Sequence, residues 1–347
     1  MHLNILRGMK LVQMASIETI KKVAKISKIT GFTNLCYKLN KNRKRTIAYH
    51  NIIPDRYWDN SLHLDHSMKE SSFRKQIEIM QDKFGCTLDI YNLDKVTITF
   101  DDGYKNQYSI ASKILDDKDI QGYFFCTANV INNNQAFIMD RLQYWFSYVP
   151  YGVYNLDEIN IVLNIEDENS RKTEWKKISD IIGPVEIDKI EEILESLYPL
   201  YKININESLY KLRFEGITMN ELNEMKNKGH KIGAHSANHK RLSNMNSDEL
   251  EEDISICTEM LEKIYNTKSF CYPFGSKEDI NENVIRSLSN KGFKNAFAYS
   301  NSPIEEGYNT YFMPRMFLPD IDDLDVINFI LSGAKHFLSF KVLLPKY

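Results

Sequence analysis

The sequence contains no uninterrupted apolar run of the ~18 residues that a spanning helix requires, so no membrane span is predicted. Nor is a secretory signal predicted. The apolar stretches between its first lysines are too short for a signal core, and no small-residue cleavage site follows one. Cysteine is scarce: Cys36, Cys86, Cys126, Cys257 and Cys271 are scattered, odd in number and without a C-x-x-C pair. That suits reduced thiols in a cytoplasm better than a disulfide framework. No internal repeat or low-complexity segment occurs. Acid is almost missing from one region: residues 1–45 hold eleven Lys/Arg and only Glu18, a balance of +10. The net charge of −3 therefore hides a body at −13. A basic leader of this kind suggests an anionic partner, such as phospholipid headgroups or polyphosphate; no nucleic-acid partner is expected.

What is present fits a globular protein. At 347 residues, 43% hydrophobic and 12% aromatic, the chain can build one large α/β domain with an appendage, or two small domains. It is organised around residues 96–103, V-T-I-T-F-D-D-G, a buried β-branched strand that stops on two carboxylates and a glycine. Gly103 permits a sharp turn, which leaves Asp101 and Asp102 at the strand's end. Adjacent carboxylates repel, favour a nearby cation, and can then divide roles, one as ligand and one as base. An acidic turn closing a strand has the same local sequence.

In chain order, residues 16–30 predict a basic amphipathic helix. Ile17, Ile20, Val23 and Ala24 lie on one side and Lys21, Lys22, Lys25 and Lys28 around the rest. Such a helix can lie on a membrane or dock on the acidic body. A short strand then ends at His50. A helix over 70–84 (Phe73, Ile77, Met80, Phe84), the strand 96–100, a helix over 104–115 and a strand over 122–127 follow. The rhythm breaks over 137–215, read as an insertion with an aromatic cluster (Tyr144, Trp145, Phe146, Tyr148, Tyr151, Tyr154) and helical stretches near 171–181 and 187–198. The cluster can form the insertion's own core or stack on sugars. A capping box, Thr218 to Glu221, opens a helix that ends at Gly229. Then come strand 231–235, helix 247–265, strand 268–272, helix 281–291 and strands near 295–299 and 310–317. Repeated β-then-α units predict an α/β fold, a distorted (β/α) barrel of about seven parallel strands with a helical insertion. The expected division is a basic helical leader over 1–45, the barrel over 46–320 and a helical tail over 321–347.

Asp101, Asp102, His50, His235 and Pro273-Phe274-Gly275 all fall at the C-terminal ends of these strands, where a parallel barrel builds its sites. His235 and His239 are four apart; on a helical turn that spacing would present both imidazoles to one cation. With Asp102 they form a donor set suited to Zn²⁺.

Thr99-Phe100-Asp101-Asp102-Gly103, His235-Ser236-Ala237-Asn238-His239 and Tyr272-Pro273-Phe274-Gly275 stand in the order and spacing of three motifs. They resemble those of the polysaccharide deacetylases of the NodB-homology type, carbohydrate esterase family 4, over about residues 46–320. Ala48-Tyr49-His50 resembles the opening strand of one bacterial subgroup. The resemblance implies Asp101 as general base, Asp102, His235 and His239 as ligands of a divalent metal, and the Phe274 N–H as an oxyanion donor. Two departures stand out. The third motif's arginine is Cys271 here, with Arg315 the best substitute, or else a surface or phosphate-facing arginine. The family's final Leu-His pair, source of the general acid, has no counterpart in Val326–Ser332, and His336 lies beyond the expected place. His50 can donate the proton instead, or serve as a hydrogen-bonded neighbour.

The expected activity is metal-dependent hydrolytic removal of acetyl from an N-acetylated hexosamine in a cell-surface polysaccharide or its lipid-linked precursor, in the cytoplasm or peripheral on the inner membrane. The alternatives are another metal-dependent amidohydrolase or O-deacetylase on the same fold, or a catalytically weak glycan-binding homologue.

Overall fold

The computed structural model describes residues 17–59, 61, 64, 66–132, 137–157, 160–182, 207–264, 268–299 and 309–340. Its strands are β1 (Arg45–Tyr49), β2 (Asn51–Ile53), β3 (Ser67–Lys69), β4 (Val96–Phe100), β5 (Tyr123–Cys126), β6 (Gly152–Leu156), β7 (Ile161–Ile165), β8 (Lys231–Ala234), β9 (Ser269–Cys271), β10 (Asn295–Tyr299) and β11 (Met313–Phe317). Seven of them close a barrel in the order β1-β11-β10-β9-β8-β5-β4, every pair parallel. Strands of such a barrel are buried on both faces, and every residue of β1 and β4 is buried. Successive side chains still part company. Tyr123, Phe125, Cys271, Phe297 and Met313 gather in one small cluster, while Phe124, Phe270 and Ala296 join the larger core beneath the helices. Gly233 on β8 lets this happen, since a Cβ there would stand 2.5 Å from the Phe125 ring.

The helices follow the sequence pattern closely. Glu70–Phe84 buries Phe73, Ile77 and Met80, and Ser247–Ile264 buries Leu250, Ile254, Cys257, Leu261 and Ile264. Thr218 caps Met219–Asn227 through the predicted reciprocal pair with Glu221. The segment after β4 departs from a plain α-helix: Gln107–Ser112 is π-helical before Lys113–Asp116 resumes the α form. A π segment beside a strand-end site is a recurring functional geometry.

Within 137–215 the sequence pattern missed an antiparallel hairpin, β6 with β7, between the helices Ile138–Tyr148 and Glu168–Ile182. Alternation in so short a hairpin is easily lost among charges. The expected helix near 187–198 lies outside the described residues. Of the aromatic cluster, Trp145, Phe146 and Tyr154 form a local core with Leu163 and Ile178, whereas Tyr151 is exposed.

The helix Ile17–Ile29 buries Ile20, Ala24 and Ser27 and packs on Leu324–Leu331; Phe32–Leu39 follows it and touches Ala334–Phe340. Ile17, expected on the inner side, is exposed at the first residue of the helix. His336 lies on Ala334–Phe340. Among the described residues no helix is long and apolar enough to cross a membrane.

Candidate active site and metal centre

The site is built where β4 ends. Asp101 still takes part in the sheet, its N–H donating to the Tyr49 carbonyl at 3.0 Å. The chain then turns through two left-handed residues, Asp102 (φ 81°) and Gly103 (φ 88°). A Cβ on Gly103 would approach Cys126 Cβ to 3.1 Å, so this position needs glycine for both backbone and space. The turn throws the two carboxylates to different neighbours.

Asp101 faces Arg315. The guanidinium of Arg315, on β11, grips it through Nη1–Oδ1 at 2.6 Å and Nη2–Oδ2 at 2.7 Å, and Nη1 also donates to Thr99 Oγ1 at 3.1 Å. Burial alone would raise the Asp101 carboxyl, but the Arg315 charge, aided by His235, holds it well below the usual carboxylate range. Cys271, in the place of the third motif's arginine, points its thiol at the same Asp101 Oδ1, 3.5 Å away.

Asp102 faces two imidazoles. Its Oδ1 lies 3.6 Å from His235 Nε2 and 3.5 Å from His239 Nε2. One ligand atom from each of the three residues fits within 4.8 Å of the others. His235 Nδ1 sits 2.8 Å from the Cys271 carbonyl, which accepts its proton and leaves the Nε2 lone pair aimed at Asp102. His235 and His239 do not share a helical turn, as their spacing suggested. Ser236 (φ 61°) and His239 (φ 55°) are left-handed, and the loop is held by His239 N–H to Ser236 Oγ (2.7 Å) and Ala237 N–H to Asp253 Oδ1 (2.9 Å). Burial, then the nearby charges of Asp140 and Asp101, push the Asp102 carboxyl up. A buried carboxylate among acids and neutral imidazoles is the environment a divalent cation completes.

Three further elements complete the rim. His50 follows β1, its Nε2 3.8 Å from Asp101 Oδ2 and its ring stacked on Phe317 at 5.5 Å. Burial drives its pKa down to about 3, so the ring is neutral. Phe274 (φ 62°) is 47% exposed and packs near His239, ring centroids 5.1 Å apart, with the Arg241 guanidinium 4.3 Å from its ring centre. Among the described residues its backbone N–H has no acceptor. Gln107, in the π segment, donates to the carbonyls of both Asp101 and His50 and ties β1 to β4 at the rim.

Sequence reasoning missed two contributors. Exposed His66 stands 5.5 Å from His50, ring to ring, because β2 and β3 pair immediately after these two histidines. Phe137 stacks on His239 at 4.7 Å and 26°, placing the start of the insertion against the metal-ligand candidates.

Residues 190–296 match the family model for polysaccharide deacetylase. The matched span takes in His235–His239 and Tyr272–Gly275. No curated protein matches the chain by sequence. Among solved structures it is similar to the deacetylase PplD of Streptococcus pyogenes in complex with acetate: TM-score 0.51, 13% identity, 84% of this chain and 97% of that one. A de-N-acetylase from Aggregatibacter actinomycetemcomitans gives 0.51 at 14% identity over 83% and 99%, respectively. A polysaccharide deacetylase from Bacillus cereus gives 0.51 at 15% over 84% and 68%. At such identities the likeness establishes the fold, the barrel seen here.

Proposed function

We propose that the protein is a polysaccharide deacetylase that hydrolyses the acetamide of an N-acetylated hexosamine in a cell-surface glycan or its precursor, using a divalent metal, best matched by Zn²⁺. One observation carries the reading: a guanidinium-held carboxylate, Asp101, stands beside the separate Asp102–His235–His239 donor set on one barrel rim. One carboxylate and two imidazoles suit zinc, and the His235–Cys271 hydrogen bond fixes the tautomer such a ligand needs. When bound, the metal supplies Lewis acidity, which polarises a carbonyl and acidifies water.

The chain's own residues do the rest. Asp101, ionised by Arg315, takes the proton of the attacking water. The Phe274 N–H donates to the developing oxyanion, a contribution typically worth about 3 kcal/mol. The proton that Asp101 takes passes through the neutral His50 ring beside it to the departing amine. The exposed Phe274 ring and the Phe137–His239 stack offer apolar surface to the acetyl methyl and the sugar face. A glycan-binding protein without turnover would have no use for the second, guanidinium-held carboxylate.

The test is acetate release from N-acetylated glucosamine oligomers of several linkages, with and without chelator, alongside O-acetylated controls. Release only from N-acetylated substrates, lost with chelator and restored by zinc, is the expected result. Release from O-acetyl esters alone would replace this reading with an O-deacetylase.

A further inference from the structure

The helices Ile17–Ile29 and Phe32–Leu39 present two faces. The inner one is accounted for: Ile20, Ala24, Thr33 and Cys36 are buried, Phe32 packs on Phe337, and Tyr37 reaches Asn328. The outer one is not. Ile26 is 61% exposed, Ile29 75%, Leu35 51% and Leu39 69%. Isolated exposed aliphatics are ordinary, but four on one helix pair are not. Lys21, Lys22, Lys25, Lys38 and Lys41 are exposed around them. Among the described residues Lys28 alone of the pair's lysines meets an acid, Asp325, at 2.7 Å. The leader is therefore docked on the body by its apolar stripe, while its charge faces out.

We infer that this outer face is a docking surface for an anionic lipid bilayer, on which the protein lies without spanning. Apolar side chains ringed by lysine are the composition of an interfacial helix: the aliphatics enter the headgroup boundary and the ammonium groups meet lipid phosphate. Two other occupants fit the charge poorly. Residues 1–16 carry Arg7 and Lys10, and 341–347 carry Lys341 and Lys346, with no acidic side chain in either, so neither segment neutralises the face. A second copy would set lysine against lysine.

The placement also orients the enzyme. At one end of the pair Lys28 meets Asp325; at the other, Asn40 Nδ2 donates to the Ser332 carbonyl and Arg45 Nε to that of Leu331, at 2.7 Å each. The pair thus runs along the flank of the barrel beside Leu324–Leu331. A bilayer against this flank lies alongside the barrel axis, so the catalytic rim opens along the membrane surface, within reach of a glycan anchored there.

The experiment is co-sedimentation of the full chain with phosphatidylcholine vesicles containing one-third phosphatidylglycerol, against pure phosphatidylcholine. It compares wild type with the surface variants Ile26→Glu/Ile29→Glu and Lys22→Glu/Lys25→Glu. Wild type should pellet with the anionic vesicles at low salt, and 0.5 M NaCl should reduce binding at least tenfold. Both variants should bind at least tenfold less while keeping wild-type circular dichroism and acetate release. Equal binding by wild type and variants would overturn the inference. So would a wild type that stays in the supernatant, or one whose concentration-dependent dimer is lost in the variants, which would make the face an interface between copies.

Discussion

Arg315 holds both oxygens of Asp101 from β11, two strands away from Cys271 on β9, where the family pattern keeps its arginine. The long side chain reaches the same carboxylate from a different inward position, and the smaller thiol takes up the space left on β9. The charge therefore depends on Arg315. In Arg315→Met, Asp101 loses its cation and burial raises its carboxyl, so the acid limb of the kcat–pH profile should move to higher pH and activity at neutral pH should fall. Arg315→Lys should recover part of the shift. Leaving one member of a buried pair unpartnered also costs about 3–5 kcal/mol of stability. A lower Tm with an unmoved pH profile would make Arg315 purely structural.

Base and ligand should separate by mutation. Asp101→Asn is expected to reduce kcat by at least ~10²-fold with zinc content intact. Asp102→Asn and His239→Ala should lose both activity and metal, falling from one ion per chain. Elemental analysis after dialysis reads the difference. Equal zinc in all three variants would remove Asp102 and His239 from the ligand set.

His50 is the proposed proton relay, with His66 beside it. His50→Ala should lower kcat ~10²-fold at unchanged zinc content, with partial rescue by added imidazole. His66→Ala should have a smaller effect, because its ring is exposed and solvent can replace it. Full activity in His50→Ala with loss in His66→Ala would exchange the two roles.

Away from the site, His230 predicts a pH-dependent stability. Its buried ring accepts the Gly122 N–H at Nδ1 (3.1 Å) and meets Asp116 Oδ1 through Nε2 at 3.0 Å. Burial lowers its pKa from 6.5, against the pull of Asp116. The unfolded chain therefore takes up a proton that the folded ring refuses, and this contribution to stability is present above pH ~6.5 and lost as pH falls towards the folded value. His230→Gln should have a lower Tm at pH 7 but a flatter Tm–pH curve between pH 7 and 5. A slope identical to wild type would contradict this.

The sequence by itself determined the elements and the end of the barrel that carries the chemistry. Burial on both faces leaves strands such as 96–100 β-branched or aromatic and free of charge, helix periodicity marks 70–84 and 247–264, and Thr218 with Glu221 announces a cap; these are local signals, written within one turn or one strand. Asp101, Asp102 and His235 were legible because they follow such strands directly, and His239 through its spacing from His235. Tertiary structure decided which groups meet. Arg315 finds Asp101 only because β11 lies beside β1 in the closed barrel, and His66 reaches His50 only through the β2–β3 pairing. The left-handed backbone at Asp102, Ser236, His239 and Phe274 has no sequence signature, since none of these is glycine. Surrounding contacts impose it, and it turns a predicted helical His-x-x-x-His into a loop that still brings both rings to Asp102.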